Sequence, residues 1–277
     1  MPPSIRIDAL LERYSALLLD AYGVLVHSSA ALPGAIALID RLEREARSYF
    51  ILTNDASRLP EKAAAYYHRL GLAIPPERVI TAGSLLGQYF DRHGLRGAKA
   101  TVFGTGDSRL YLEQAGAVLV SAAEDPEVIA ICDEATGDFV ADLDAVLTAL
   151  LRAVDRGTLP RLVVANPDLV YPKAGGQFGI AAGSIAELLE RAIALRWPSA
   201  DPPRFDRLGK PFPAIFEEAA RRAGTRDLVM IGDQLETDIL GARRFGIDSA
   251  LVVTGVSRWS DDVPEDRRPS WLLSELA

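Results

Sequence analysis

The chain alternates short runs of apolar residues with longer segments in which apolar positions recur at helical spacing. Short apolar runs bounded by polar residues or glycine are typical of strands buried on both faces. Apolar residues three or four positions apart are typical of amphipathic helices. This alternation predicts a mostly parallel sheet covered by helices on both faces. In the first and last thirds of the chain the predicted strands are 17–19, 49–52, 228–231 and 250–253, and the predicted helices are 36–46, 61–70 and 238–245.

The middle of the chain repeats this alternation by itself. Asp107 is expected to cap a helix that runs to Gln114, just before Gly116. From Val140 to Val154 the apolar spacing is again helical, which favours core packing over a binding stripe. We therefore predict a self-contained α/β block over about residues 84–182. Its predicted strands are 101–103, 118–120, 128–132 and 162–164.

Polar residues stand where three predicted strands end, at Asp20, Thr53 and Asp233. Because the carboxyl ends of parallel strands meet at one edge of a sheet, where ligands bind, we expect these side chains to lie close together. Lys210 precedes Pro211, where a helix can begin. Each residue alone has a simpler explanation, since Asp20 and Thr53 suit turns or helix caps and a lysine is usually exposed. Together and in this order they favour a site for phosphoryl transfer.

The chemistry of phosphoryl transfer uses these residue types. Asp20 can act as the nucleophile and form an acyl phosphate. Asp20 and Asp233 are hard oxygen ligands for Mg²⁺, whose charge offsets the repulsion between a carboxylate and a phosphate. Thr53 can donate a hydrogen bond to a phosphate oxygen, and Lys210 supplies a positive charge to nucleophile and phosphate. Asp238 can hold a metal-bound water, although an acidic residue also suits the first turn of a helix.

The bulk composition limits the classes of partner. Of the 277 residues, 49% are apolar and 25% are charged, so a sizeable core can form. The formal net charge of −8 argues against a broad nucleic-acid-binding face, which has to be basic, but a local cation can still admit a small anionic substrate. The single cysteine, Cys132, lies in an apolar run and is expected to be buried. No apolar run approaches the roughly 18 residues of a membrane span, and the first residues lack a secretory pattern. We expect a cytoplasmic protein with no membrane partner.

Four segments of the chain match a known pattern of motifs. They are 19–25 (Leu-Asp-Ala-Tyr-Gly-Val-Leu), 52–54 (Leu-Thr-Asn), 209–211 (Gly-Lys-Pro) and 232–239 (Gly-Asp-Gln-Leu-Glu-Thr-Asp-Ile). Shorter matches are 32–35 (Leu-Pro-Gly-Ala), 166–168 (Asn-Pro-Asp) and 254–256 (Thr-Gly-Val). With these segments the chain closely resembles the haloacid dehalogenase-like hydrolases, and specifically their class IIA phosphatases, the NagD-type and nitrophenylphosphatase group.

The resemblance implies a Rossmann-like, three-layer parallel-sheet core with an inserted smaller α/β cap. In this class the insert falls between the second and third motifs, in agreement with the long interval between Thr53 and Lys210. The core would span residues 1–83 and 183–277, and the cap residues 84–182. The resemblance also implies a small phosphorylated substrate whose phosphate is bound by Thr53, Asn54 and Lys210. Family members often associate through the cap, so the resemblance is compatible with a homodimer through the cap and leaves the oligomeric state open.

The segment 166–168 and the residue His27 each allow two interpretations. By resemblance, the segment 166–168 lies near the return of the cap to the core and can face the substrate, but it also suits a turn after the strand 162–164. His27, seven positions after Asp20, is either a surrogate acid or a partly exposed loop histidine. Replacement of His27 by alanine separates these two interpretations, because only a surrogate acid would alter turnover.

Tyr22 is the departure from the family pattern. Phosphatases of this family normally carry a second aspartate there, which protonates the leaving group and then deprotonates the hydrolytic water. A phenol with a reference pKa of about 10 can donate a hydrogen bond but is a poor base near neutrality. Losing a general acid–base typically costs about 10²–10⁴-fold in rate. The backbone carbonyl of Tyr22 can still serve as a metal ligand, since that role does not depend on the side chain.

Three functional hypotheses follow. The first is a Mg²⁺-dependent phosphatase in which the leaving group is good or in which Tyr22 or another residue replaces the acid. The second is a dehalogenase-like hydrolase, because Asp20-Ala21-Tyr22-Gly23 resembles the opening motif of haloacid dehalogenases; the retained Asp233 and Asp238 and the cap position argue against it. The third is a phosphate-binding or regulatory protein with slow or no turnover.

Overall fold

The apolar runs of the sequence form the strands of two parallel sheets. The structure, a computed structural model, describes residues 1–27, 30–173, 177–253, 255 and 257–276. The strands are β1 (Ser4–Ile5), β2 (Ala16–Asp20), β3 (Val26–His27), β4 (Ala30–Ala31), β5 (Ser48–Thr53), β6 (Val79–Thr81), β7 (Lys99–Phe103), β8 (Val118–Leu119), β9 (Val128–Ile131), β10 (Arg161–Val164), β11 (Val170–Pro172), β12 (Phe178–Ile180), β13 (Asp206–Arg207), β14 (Leu228–Gly232), β15 (Asp248–Val252) and β16 (Trp271–Leu273).

The amphipathic segments form helices, and the predicted ones start and end close to the predicted positions, whereas the helices at 7–13, 86–93 and 182–194 were not predicted. They are α1 (Ile7–Arg13), α2 (Ala35–Arg44), α3 (Pro60–Arg69), α4 (Leu86–His93), α5 (Gly106–Gln114), α6 (Phe139–Arg156), α7 (Ala182–Ala194), α8 (Pro213–Ala223) and α9 (Leu240–Phe245). Three details differ from the predictions. Thr105, not Asp107, caps α5; α8 begins two residues after Pro211; and a π-helical turn, Leu235–Ile239, precedes α9 where one helix was predicted.

The chain divides into two compact units. The first unit comprises residues 1–53, 60–81 and 209–277. Its seven-stranded sheet has the order β1-β16-β15-β14-β2-β5-β6. Every neighbouring pair in this sheet is parallel. The predicted α/β fold is confirmed, and β2 lies in the sheet between β14 and β5.

Helices cover both faces of the first sheet. Because successive side chains of a strand point to opposite faces, Leu17 and Leu19 of β2 share one face and Leu18 faces the other. Leu17 and Leu19 pack in one buried cluster with α1, α2 and α3. On the other side, α8 contacts β5 and β6, and α9 contacts β15. The result is the three-layer arrangement expected of a Rossmann-like core.

The second unit comprises residues 54–59 and 82–208. Its five-stranded parallel sheet has the order β13-β10-β9-β7-β8. Helices α6 and α7 pack on this sheet through a buried apolar cluster that includes Phe103, Ile131 and Leu162. Cys132 is buried, as expected. Strands β11 and β12 form a separate antiparallel pair.

The division into units differs from the predicted boundary at 182. Residues 183–208, which the sequence assigned to the core, belong to the second unit. The reason is long-range pairing: Val163 and Val164 of β10 pair with Asp206 and Arg207 of β13, so the chain leaves the second sheet only after β13. A two-residue strand has no recognisable apolar run.

In the part of the chain that the structure describes, none of the helices combines the length and apolar character needed to cross a bilayer.

The central position of β2 predicts a large stability loss on truncation of its core side chains. Leu18 is fully buried, so Leu18→Ala should lower the free energy of unfolding by about 2–5 kcal/mol, from lost burial and the cavity that remains. The matched control is Leu195→Ala, because Leu195 is 89% exposed and should change stability by no more than about 0.5 kcal/mol. Urea unfolding followed by circular dichroism measures both, and equal effects would contradict the central packing of β2.

Candidate active site

The carboxyl ends of three neighbouring strands carry the polar residues that the sequence singled out. Asp20 is the last residue of β2 and pairs with Leu52, so Thr53 at the end of β5 stands one position beyond it. On the other side Leu19 pairs with Ile231, and Asp233 follows the end of β14. Asp20, Thr53 and Asp233 are all buried. The parallel register therefore brings these strand ends to one edge of the first sheet.

Lys210 joins two carboxylates at this edge. Its Nζ donates to Oδ1 of Asp20 at 2.6 Å and to Oδ1 of Asp238 at 2.7 Å. All three side chains are almost excluded from solvent, and the partners lie 190 and 28 positions from Lys210 in the sequence. Charge-assisted hydrogen bonds of this kind are shorter and stronger than neutral ones. Lys210 is thus a buried cation held directly against Asp20.

Asp238 also fixes the chain that carries Asp233. Its Oδ2 accepts hydrogen bonds from the backbone N–H groups of Asp233 and Gln234, at 3.2 and 3.1 Å. Gly232 makes this possible, because a Cβ there would lie 2.2 Å from the Cβ of Asp238. Asp238 therefore bonds both Lys210 and the turn after β14, which goes beyond the water-holding role predicted for it.

Three carboxylates at the site could hold a metal ion. One oxygen each from Asp20, Asp233 and Asp238 can be chosen so that all lie within 4.8 Å of one another. Carboxylate oxygens are the ligands that Mg²⁺ and Ca²⁺ prefer. Three negative charges stand beside the single positive charge of Lys210, and a divalent cation would offset the excess. The donor set and the charge both fit a hard divalent cation.

Burial and neighbouring charges both shift the pKa values of Asp20 and Lys210, with a different balance at each. Burial raises the pKa of Asp20 well above its ordinary value, and the nearby Asp238 and Asp233 add to the rise while Lys210 opposes it. Burial alone would lower the pKa of Lys210, but the charges of Asp20 and Asp238 outweigh it and raise that pKa above its ordinary value. Asp20 thus holds its proton more tightly mainly because it is buried, and Lys210 does so because it faces two carboxylates.

Two glycines of the sequence motifs, Gly23 and Gly255, make room for Asp233. Gly23 has φ of +86°, and a Cβ there would lie 2.0 Å from Oδ2 of Asp233. A Cβ on Gly255 would lie 2.2 Å from the Cβ of Asp233. The signal in the sequence is a glycine just after a strand or within a strand-end motif. The neighbours Thr254 and Val256 of the motif 254–256 lie outside the described residues.

Tyr22 lies in a tight loop directly after β2. The N–H groups of Leu25 and Val26 both donate to the carbonyl of Ala21, and Gly23 N–H donates to the carbonyl of Val26. The side chain of Tyr22 is 39% exposed, whereas Asp20 is buried. His27, in the short strand β3, is also exposed, which agrees with a loop-like surface histidine.

Asn54 is placed differently from the other predicted site residues. It belongs to the second unit, where its Nδ2 donates to Oδ1 of Asp168 at 2.8 Å. Asp168 N–H in turn donates to Oδ1 of Asn166 at 3.0 Å, so the segment 166–168 forms a turn after β10. The first unit thus brings together Asp20, Lys210, Asp233 and Asp238 with Thr53 at the adjacent strand end, and Asn54 is held by a different partner.

Comparison with known protein families finds matches in two parts of the chain. Residues 17–118 match the sequence model described as haloacid dehalogenase-like hydrolase. Residues 207–277 match the model described as HAD-hydrolase-like. Together the two segments contain Asp20, Thr53, Lys210, Asp233 and Asp238.

Similar proteins match along most of the chain. A dihydroxyacetone phosphatase from Corynebacterium glutamicum is 29% identical over 265 residues, which cover 94% of this chain and 88% of the relative. The crystal structure of a possible sugar phosphatase of the HAD superfamily from Cytophaga hutchinsonii is 29% identical, with a TM-score of 0.83, and the match covers 100% of this chain and 99% of that one. A glycerol phosphate phosphatase from Mycobacterium tuberculosis, crystallised with magnesium, is 27% identical with a TM-score of 0.80, over 95% of this chain and 75% of that one.

Because Gly255 lies against Asp233, we predict that substitution of Gly255 weakens cation binding. Gly255→Ala would place a methyl group where Asp233 now lies, so the affinity for Mg²⁺ should fall about 10- to 100-fold, as for other residues that orient metal ligands. Isothermal titration calorimetry with Mg²⁺ measures this effect. Gly87→Ala is the matched control, because no atom lies within 4 Å of a Cβ at Gly87. Equal affinity for Mg²⁺ in both variants would show that Asp233 does not depend on the space beside Gly255 to bind the ion.

Proposed function

Because the chain belongs to the haloacid dehalogenase-like hydrolases, we propose that it is a phosphatase that attacks a small phosphorylated metabolite with Asp20 and requires Mg²⁺. The observation that carries the proposal is the contact of Lys210 with Asp20 and Asp238, next to the carboxylate of Asp233. A nucleophilic carboxylate, a fixed cation and a set of hard oxygen ligands are the parts that phosphoryl transfer on aspartate needs.

Asp20 supplies the nucleophile. One of its oxygens, Oδ1, accepts the hydrogen bond from Lys210, which holds the carboxylate in one orientation. We assign the attack to Oδ2: a bond forms between Oδ2 and phosphorus while the ester bond between phosphorus and the leaving oxygen breaks. The leaving oxygen departs with a proton. Water then attacks the phosphorus atom, the bond between Oδ2 and phosphorus breaks, and the proton that water gives up balances the one taken by the leaving group, so that inorganic phosphate is released and Asp20 is restored. Lys210 lowers the energy of the charge that develops on the phosphoryl oxygens.

The residues that would hold Mg²⁺ are Asp20, Asp233 and the backbone carbonyl of Tyr22, with Asp238 orienting the turn that carries Asp233. When bound, the ion would supply the positive charge that lets a carboxylate approach an anionic phosphate. Thr53 and Asn54 are assigned to the phosphate, Thr53 through its hydroxyl group. The relative from Mycobacterium tuberculosis has been crystallised with magnesium and with calcium, which supports a hard divalent cation of this kind.

The second unit is proposed to act as the cap of a class IIA enzyme and to select the substrate. Its position supports this, since all of it lies in the chain between Thr53 and Lys210. Three relatives are named dihydroxyacetone phosphatase, acid sugar phosphatase and D-glycerol 3-phosphate phosphatase. A small sugar or polyol phosphate is therefore the proposed substrate class, and association of two copies through the cap is the proposed assembly.

Tyr22 favours a second candidate, a protein that binds phosphate but turns over slowly. No carboxylate stands at position 22 to protonate the leaving group, and a phenol is a weak base for activating water. A substrate with a good leaving group needs less help from an acid. Hydrolysis of such a substrate therefore tests the nucleophile with little contribution from the acid–base step.

We expect Mg²⁺-dependent hydrolysis of p-nitrophenyl phosphate and acetyl phosphate that a chelator stops. Asp20→Asn should lower the rate by at least about 10³-fold, because it removes the nucleophile. Asp144→Asn, the same change on an exposed face of α6, is the control and should leave the rate unchanged. Phosphate or p-nitrophenol release measures each rate.

Tyr22→Asp tests the acid–base step in the same assays. It restores the carboxylate that the family pattern carries, so the rate should rise by about 10²–10⁴-fold for a substrate with a poor leaving group, such as glycerol 3-phosphate. No turnover of either activated substrate by the wild type, combined with Mg²⁺-dependent binding of inorganic phosphate, would instead support the binding protein. Metal-independent halide release from a haloacid would support a dehalogenase.

A further inference from the structure

We infer that helix α5 of the second unit positions the segment 54–59, which follows Thr53, and that Thr105, Asp107, Ser108 and Tyr111 are positioning residues for the phosphate site. The inference rests on the proposed function, because Thr53 and Asn54 are the residues assigned to the phosphate. The segment is neither helix nor strand. It belongs to the second unit, although the chain up to Thr53 and again from Pro60 belongs to the first.

Every residue from 54 to 59 shares a hydrogen bond with another part of the second unit. Four of these bonds come from α5 and its cap: Thr105 Oγ1 donates to the carbonyl of Ser57 at 2.9 Å, Ser108 Oγ to the carbonyl of Ala56 at 2.8 Å, Tyr111 OH to the carbonyl of Arg58, and Leu59 N–H to Oδ2 of Asp107 at 3.1 Å. The other two are Gly83 N–H to the carbonyl of Asp55 at 3.4 Å and Asn54 Nδ2 to Asp168 at 2.8 Å.

Helix α5 buries polar side chains where a helix usually buries apolar ones. Asp107, Ser108 and Tyr111 are all at least nine-tenths buried. Burial of polar groups is unfavourable unless they are hydrogen-bonded, and here the backbone of 54–59 supplies the partners. Two glycines leave the space: a Cβ on Gly83 would lie 2.3 Å from the ring of Tyr111, and one on Gly104 would lie 2.6 Å from Oγ of Ser108.

Helix capping accounts for only part of this arrangement. Thr105 and Ser108 form a reciprocal capping box at the start of α5. The hydrogen bonds from Tyr111 to Arg58 and from Leu59 to Asp107 lie outside that box. An aspartate or asparagine also caps a helix, whereas the hydroxyl groups of Thr105 and Ser108 additionally donate to Ser57 and Ala56. The contacts with the segment therefore need a reason of their own.

The contacts hold the backbone of the segment against α5 within the second unit. The division between the units falls at the Thr53–Asn54 and Leu59–Pro60 bonds, so Asn54 belongs to the second unit, whereas Thr53 belongs to the end of β5 in the first. Loosening the contacts with α5 would leave Asn54 and the chain beside Thr53 less ordered. A group that binds phosphate equally in the ground state and the transition state changes KM more than kcat.

Tyr111→Phe tests the inference, because it removes one donor to the segment and keeps the ring. Tyr89→Phe is the matched control: its hydroxyl donates to Asp206 of the same unit, away from the segment. We expect Tyr111→Phe to speed amide hydrogen exchange in a peptide covering 54–59 by about 3- to 10-fold, the worth of one net hydrogen bond. KM for p-nitrophenyl phosphate should rise by a similar factor while kcat changes less than about twofold.

Two results would overturn the inference. One is an exchange rate in 54–59 that Tyr111→Phe and Tyr89→Phe alter equally. The other is faster exchange in Tyr111→Phe with KM unchanged, which would make the contacts purely structural. If the wild type does not hydrolyse p-nitrophenyl phosphate, the proposed function fails. In that case the affinity for inorganic phosphate, measured in both variants by calorimetry, takes the place of KM.

Discussion

The ammonium of Lys210 stands between two buried carboxylates that come from distant parts of the chain. It joins the end of β2, the turn after β14 and the residues before α8 into one site. Removing one partner of a buried ion pair typically costs about 3–5 kcal/mol, because a charge is left without compensation. The local excess of negative charge that remains around Lys210 is also what suits the site to a divalent cation. The same contact thus supports both the packing of the first unit and its proposed chemistry.

The side chains of the site also depend on space that three glycines leave open. Gly23 and Gly255 leave room for the carboxylate of Asp233, and Gly232 leaves room for Asp238. Asp238 then binds the backbone that carries Asp233. Because these groups are packed against backbone, small displacements of the carboxylates are resisted. A rigid site of this kind lowers the cost of organising charges around a phosphate.

The second unit combines an ordinary apolar core with a polar contact to the segment 54–59. Phe103, Ile131 and Leu162 are typical of the core between its sheet and α6 and α7. On α5, by contrast, the hydroxyl groups of Ser108 and Tyr111 donate hydrogen bonds to backbone carbonyls of the segment. Hydrogen bonds fix direction more narrowly than apolar packing does. This contact therefore suits a role in placing the chain next to Thr53.

The sequence by itself determined the main strands of the first sheet and the types of polar residue at their carboxyl ends. Apolar runs identified β2, β5 and β14, and the polar residues at their ends were correctly expected to share one edge, because parallel strands align their carboxyl ends. Only the tertiary structure decided which groups meet: that Lys210 bonds both Asp20 and Asp238, that Asn54 bonds Asp168, and that β13 extends the second unit to residue 208. Local patterns encode whether a segment is helix or strand. They do not encode pairings between positions far apart in the chain, which depend on the packing of the whole fold.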